Sequence, residues 1–409
     1  MLNSVKFALV NKKLFKTNLN KMKKVFFALL AGASLFATAQ SAPQDSIPTN
    51  PQNQKNAAQR ILSSHLSQKG LTVGGYAETH YNRATGKNAK LDVHRMVMLL
   101  GYKFNDRTQF ITEIEFEHVK EVFIEQAFLQ YSLNDNVNLR AGLMLVPMGI
   151  VNEYHEPTTF NGVERPSMDK SIIPSTWREI GLGVSGRWDE ASLRYQAYMF
   201  NGFLSDNGGK YLGGSNGFRN GRQKGAESMM NNVNFSGKLD YYGLPGLRLG
   251  LSGYFGRTQS DNAIEDISGA DVGIAMLGLD ARYAYQRFTA RGQFIHASVS
   301  DSEEYNTLYG SDLGSALQGW YVETAYNLLP QDKEQQLYAF ARYEDYNTHA
   351  STDGGLAKNL AYDRDEWTFG LTYKIAPGAA IKADYQFKND AVAGSKTIKQ
   401  LNLGFGVWF

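Results

Sequence analysis

Period-two alternation, held over runs of mostly 11–14 residues, constrains this chain more than any other feature. At the C-terminus Leu401, Leu403, Phe405, Val407 and Phe409 share one parity, and Asn402, Gly404 and Gly406 share the other. In the run before it, Ile381, Ala383, Tyr385 and Phe387 oppose Lys382, Asp384, Gln386 and Lys388. Trp367, Phe369, Leu371 and Tyr373 likewise oppose Thr368, Gly370, Thr372 and Lys374. Successive side chains of a strand point to opposite faces, so each run reads as a strand with one apolar and one polar face. Sixteen such runs lie near 71–83, 90–103, 107–117, 121–132, 137–147, 177–188, 191–203, 231–241, 246–258, 271–284, 287–299, 317–328, 335–347, 364–375, 379–388 and 397–409. Soluble strands usually hold about 5–6 residues, whereas a tilted membrane strand needs about 9–11. The length itself argues for a membrane.

The connections alternate as well. Asn105-Asp106, Asn134-Asp135-Asn136, Asp189-Glu190, Leu244-Pro245 and Pro377-Gly378 are tight turns. Between them fall longer segments at 148–176, 204–230, 259–270, 300–316, 348–363 and 389–396. Outer-membrane barrels have short periplasmic turns and long outer loops. Hydrocarbon cannot pair backbone N–H and C=O groups, so only helices or closed barrels span it. A mean hydropathy of -0.38 excludes a helical bundle, and 40 glycines with 12% aromatics fit strands. The expected fold is all-β: a sixteen-stranded antiparallel transmembrane barrel over 71–409. The soluble alternative is a β-sandwich or propeller, which would press apolar faces together.

Residues 1–39 carry seven lysines and no acid. Lys21, Lys23 and Lys24, the apolar stretch Val25–Ala37 and the Ala37-Thr38-Ala39 site read as a signal peptide, with Met22 an alternative start. Taking those lysines from 42 basic residues leaves 35 against 40 acidic, a balance of −5 that excludes a nucleic-acid partner. Residues 40–70 are polar and read as a flexible periplasmic segment, with a short helix possible at Ala57–Leu66. There is no cysteine, so disulfides and thiolate chemistry are excluded.

Residues 142–187 read GLMLVPMGIVNEYHEPTTFNGVERPSMDKSIIPSTWREIGLGVSGR. Pro147-Met148-Gly149, Asn152, His155-Glu156-Pro157, Val163-Glu164-Arg165-Pro166 and Ile173 to Glu179 carry a resemblance, supported by His94-Arg95, Glu113 to His118 and Glu125 to Phe128. The chain resembles the phosphate-selective porin O and P family of Bacteroidetes-type outer-membrane porins. That resemblance implies a homotrimer in outer-membrane lipid whose long third outer loop folds into the lumen. It also implies anion selectivity from arginines and lysines on the wall. Independently, a 29-residue loop at 148–176 is long enough to be functional, and an inward loop would narrow the bore.

The candidate pore-lining and constriction residues are Arg95, Glu113, Glu115, Glu117, Arg140, His155, Glu156, Glu164, Arg165, Arg178, Arg187, Arg194, Arg291 and Arg342. Arg140, Arg187, Arg194, Arg291 and Arg342, with Arg248 and Arg282, fall on polar faces by parity. They would supply positive potential and forked hydrogen bonds, or pair with acids and support the wall. Glu113, Glu115 and Glu117 share a face opposite Phe110, Ile114 and Phe116, so acids also look inward. Arg95 follows the parity of Val93, Val97 and Leu99; it faces lipid unless a bulge turns it.

The expected function is passive diffusion of small hydrophilic solutes or ions. A phosphate- or oxyanion-selective porin is the alternative, and an outer-membrane enzyme or adhesin the alternative of another class. His155, Glu156 and Asp169 lie near Ser167 and Ser171, but no G-x-S-x-G or H-E-x-x-H motif surrounds them. No catalytic residue, cofactor or metal is expected.

Overall fold

A computed structural model describes residues 51–62, 70–206, 211–261 and 267–409. The expected signal peptide at 1–39, and most of the stretch 40–70, lie outside the described residues.

The sixteen runs become sixteen barrel strands. They are β1 (Gly70–Ala84), β2 (Lys90–Lys103), β3 (Thr108–Glu117), β4 (Glu121–Asn134), β5 (Val137–Leu145), β6 (Arg178–Trp188), β7 (Leu193–Phe200) and β8 (Asn234–Tyr241). Then follow β9 (Leu247–Arg257), β10 (Gly273–Tyr285), β11 (Phe288–Ser300), β12 (Ala316–Asn327), β13 (Gln336–Ser351), β14 (Asp363–Ala376), β15 (Ala379–Asp390) and β16 (Ile398–Trp408). Each pairs antiparallel with the next, and β1 closes on β16 with Tyr76 opposite Trp408 and Ala84 opposite Gln400. Closure leaves no edge, as lipid requires, since each unpaired backbone group there costs several kcal/mol.

The two faces are inverted relative to a soluble protein. Leu403 and Phe405 are 43% and 47% exposed, while Asn402 beside them is 0% exposed. Leu251, Leu279, Leu371 and Ile381 are bare outside, and Thr372, Lys382, Asp384 and Gln386 are buried inside. Among the described residues no second sheet covers the apolar face of 401–409, and the closed barrel replaces the sandwich reading. Trp367, Tyr373 and Tyr385 are also exposed outside, as membrane-facing aromatics should be. The tight Pro377-Gly378 turn depends on glycine: its φ is 82°, and an added Cβ would clash with the Trp408 carbonyl.

Three features differ from the sequence reading. First, the inner wall is not uniformly polar. Val97, Leu99, Ile111, Ile295, Ala297, Val299 and Tyr321 are buried inside, where loops and the helix at Ala57–Leu62 pack on them. Second, the runs 191–203 and 231–241 shorten to β7 and β8. Asn201 accepts the Ile180 N–H at 2.7 Å and Gly202 turns at φ 80°, so the chain leaves the wall there. Beyond it, Leu204–Asp206 pairs in parallel with Gln259–Ser260, and Phe218 donates to the Ser171 carbonyl at 3.1 Å. Third, part of the polar N-terminal stretch has a seat. The short helix expected within Ala57–Leu66 is there, as α1 (Ala57–Leu62), and what differs is that it is packed, with Ala57 and Ala58 buried. Gln52 donates to the Tyr242 and Leu244 carbonyls in the β8–β9 turn, both at 2.7 Å. Arg60 lies 4.1 Å above the Trp408 ring, and Ile61 packs beside Tyr76, Val97 and Leu99. The β8–β9 turn and the β16–β1 seam are half a circumference apart, so residues 51–62 cross the turn-side opening.

Candidate constriction site

The β5–β6 connection is knotted at its base by one side chain. Asn152 accepts the Trp177 N–H at 2.7 Å and donates to the carbonyls of Val146 (2.8 Å) and Trp177 (2.9 Å). Val146 also donates to the Trp177 carbonyl at 3.0 Å. Between these ends the segment touches strands around the whole wall. On one side Arg248 of β9 donates to the Tyr154 hydroxyl at 2.7 Å, and Gln293 of β11 accepts the Ile150 N–H at 2.6 Å. Lys238 of β8 pairs with Glu153 at 2.9 Å. On the other side Asp384 of β15 accepts the Val163 N–H at 2.6 Å, and Arg165 donates to Glu78 of β1 at 3.0 Å. A four-residue helix, α2 (Met168–Ser171), docks Asp169 on Gln293 at 2.7 Å.

The densest charge cluster joins β1 to β4 with the loop. Arg95 donates through Nε to Glu78 and through Nη2 to the His155 carbonyl, both at 2.6 Å. Its Nη1 lies 3.6 Å from Glu125 and 3.8 Å from Glu115. The Tyr76 hydroxyl is 2.8 Å from Glu113, 3.0 Å from Glu125 and 3.0 Å from His155 Nε2. Burial draws the His155 imidazole down, but Glu125 beside it, with Glu113, pushes it well above the ordinary histidine value. Glu156 is buried and accepts the Ala57 N–H, which ties the loop to α1.

Arg95 faces inward. In the β1–β2 ladder Glu78 pairs with Arg95 and Thr79 with Val93, so His94 is an extra residue. That bulge switches parity, and Val97 and Leu99 turn inward with Arg95. Glu113 and Glu115 are buried inside, while Glu117 is more open beside His118. Glu164 reaches Asn82 at 2.8 Å and His80 at 3.5 Å. Arg342 bonds Glu344 at 3.0 Å and the Glu164 carbonyl at 3.1 Å, and Arg291 meets Glu323 at 3.0 Å. Arg178 is buried by the loop end, over Phe123 and near the Thr176 carbonyl.

Besides Glu117, which meets His118, three arginine candidates are not brought to the loop. Arg140 bonds Gln130 and the Tyr198 hydroxyl on the wall. Arg187 is exposed and held by Asp189 in the β6–β7 turn, because that end of β6 is the turn-side rim. Arg194, also near that rim, donates to the Gln52 carbonyl at 2.8 Å. Tyr76, Glu78, Glu125, Gln293 and Asp384 were missed as site residues. Parity on β1 would have placed Tyr76 and Glu78 inside. Glu125 is itself a bulge residue, because Glu113 pairs with Gln126 and Ile114 with Ile124.

Residues 71–389 match the family described as phosphate-selective porin O and P. The chain belongs to that family. This porin is an outer-membrane β-barrel channel. It is 34% identical over 342 residues to an uncharacterised protein of Aquifex aeolicus, covering 78% of this chain and 75% of the relative. The anion-selective porin from Comamonas acidovorans shares the fold at TM-score 0.55 and 12% identity, covering 84% of this chain and 100% of that one. OmpT of Vibrio cholerae, in a trimer form, superposes at TM-score 0.52 and 12% identity, covering 83% and 99%.

Proposed function

We propose that this porin passes small hydrophilic solutes or ions by passive diffusion. The loop 146–177 acts as the sieve, and segment 51–62 narrows the turn-side opening. The observation that carries this reading is a single loop bonded to Arg248 and Gln293 on one side and to Asp384 and Glu78 on the other. A segment held across a bore restricts its cross-section, and its charges set which solutes pass. Arg95, Arg165, Arg291 and Arg342 sit among Glu78, Glu115, Glu323 and Glu344, so both signs line the passage. That mixture supports weak selectivity. Reversal potentials in a salt gradient across a planar bilayer test it: the expected value is near zero for a symmetric salt. A strongly anion-selective current blocked by phosphate would overturn weak selectivity.

One observation favours the oxyanion-selective reading. A cavity of about 310 Å³ at the turn side is lined by Lys55, Arg60, Arg282, Arg291 and Lys374, against one acid, Glu323. An anion crossing there would meet a net positive wall. The homotrimer is part of the proposal, supported by the trimer form of the Vibrio cholerae protein that shares the fold.

A further inference from the structure

Three of the chain's seven histidines meet on the inner wall of β1–β3, at the long-loop end, with His80 joined to the buried loop cluster through Glu78. Asp92 points inward by parity. The His94 bulge adds a residue immediately after Val93, which brings the His94 ring to the same side. There it stacks on His80 at 4.4 Å with an interplanar angle of 14°. His118 begins the three-residue β3–β4 connection at φ 52°, with Val119 at φ 69°, and its N–H donates to the His94 carbonyl at 3.1 Å. Its ring lies 5.4 Å from that of His94.

The result is a convergence of donor atoms. Asp92 Oδ2 is 2.7 Å from His118 Nδ1 and 3.4 Å from His94 Nδ1. One ligand atom from each of Asp92, His94 and His118 lies within 4.8 Å of the others. Tetrahedral ligands about 2.0–2.1 Å from an ion stand roughly 3.3–3.4 Å apart, so small side-chain adjustments close this set around one. His118 Nε2 is 3.8 Å from Glu117, a carboxylate placed to orient the ring. His80 is occupied by Glu78 and Glu164 and stacks rather than ligates. The buried set Glu113, Glu125 and His155 is different: Tyr76, Gln126 and Arg95 already occupy it, and it is closed to solvent.

We propose that Asp92, His94 and His118 bind a divalent transition-metal cation of the zinc class at the channel mouth. Two imidazoles and one carboxylate suit zinc, nickel or copper and not the hard, oxygen-seeking magnesium or calcium. The side chains are 31%, 25% and 41% exposed, so a cation arriving from the long-loop side reaches them. Three protein ligands leave a position for water and exchange. The site places a cation in a passage whose wall is otherwise dominated by paired charges, and it stands whether or not the channel is anion-selective.

The test uses tag-free, full-length protein folded in detergent and stripped of metal. Calorimetric titration with zinc chloride should show one site per chain, and magnesium chloride should show none. His118→Ala, on an exposed connection, should weaken zinc binding about tenfold or more, as should Asp92→Asn, while His296→Ala leaves it intact. Heat-shifted gel mobility confirms that each variant is folded. Absence of zinc binding, or binding unchanged in both folded His118→Ala and Asp92→Asn, overturns the proposal. The readout is binding, so it fails separately from the diffusion reading.

Discussion

Arg95 donates to Glu78 across the β1–β2 ladder at 2.6 Å, with both side chains buried, and the same guanidinium holds the His155 carbonyl of the loop. One arginine therefore joins the wall to the loop. A buried ion pair contributes little net stability when intact, but removing one partner leaves a buried charge short of its bonds.

Arg95→Ala should lower barrel stability by about 3 kcal/mol, at the lower end for a broken buried pair because Arg165 still reaches Glu78. The unboiled protein should shift to the unfolded gel position at a lower temperature than wild type. An unchanged transition would show that the pair does not anchor the loop.

Deleting residues 155–170 should raise single-channel conductance. This stretch carries the contacts of His155, Val163, Arg165 and Asp169 with the wall. Equal or lower conductance in a folded deletion variant would contradict a constricting loop.

Burial pushes the Asp169 carboxyl up to about 7, against the Gln293 hydrogen bond and the nearby Arg291 and Arg342 charges, with Asp280 adding to the rise. The folded protein thus holds a proton there that the unfolded chain loses near the ordinary value of 3.8. Its contribution is present below that value and is lost as pH rises through about 7. Loop anchoring should weaken as pH rises from about 4 through about 7, and no further above that, seen as rising current noise. Asp169→Asn, which stays neutral, should remove that pH step; a step of equal size in this variant would assign it elsewhere.

Residues 51–62 close part of the turn-side opening through Gln52, Arg60 and Ile61. Removing them from the mature chain should increase conductance and expose Trp408, raising its quenching by iodide. Conductance and quenching identical to the full chain would place this segment outside the bore in the membrane.

Period two along each strand was readable without coordinates, because lipid on one side and a polar interior on the other imprint every second residue. Strand number, the apolar outer face of 401–409 and the inward side of Glu113 and Glu115 all follow from it. The loop's family motif was legible too, in Asn152, His155-Glu156-Pro157 and Trp177. Parity could not reveal the extra residues at His94 and Glu125, since a bulge is a property of pairing between two strands. It therefore left Val97 and Leu99 on the lipid side, and it was silent on Ile295; all three face inward yet are apolar because α1 or the loops pack on them. The seat of Pro51–Leu62 was equally hidden. Its short helix was readable in the period at Ala57–Leu66, but only the closed barrel brings the β8–β9 turn, Glu156 and Trp408 into its reach.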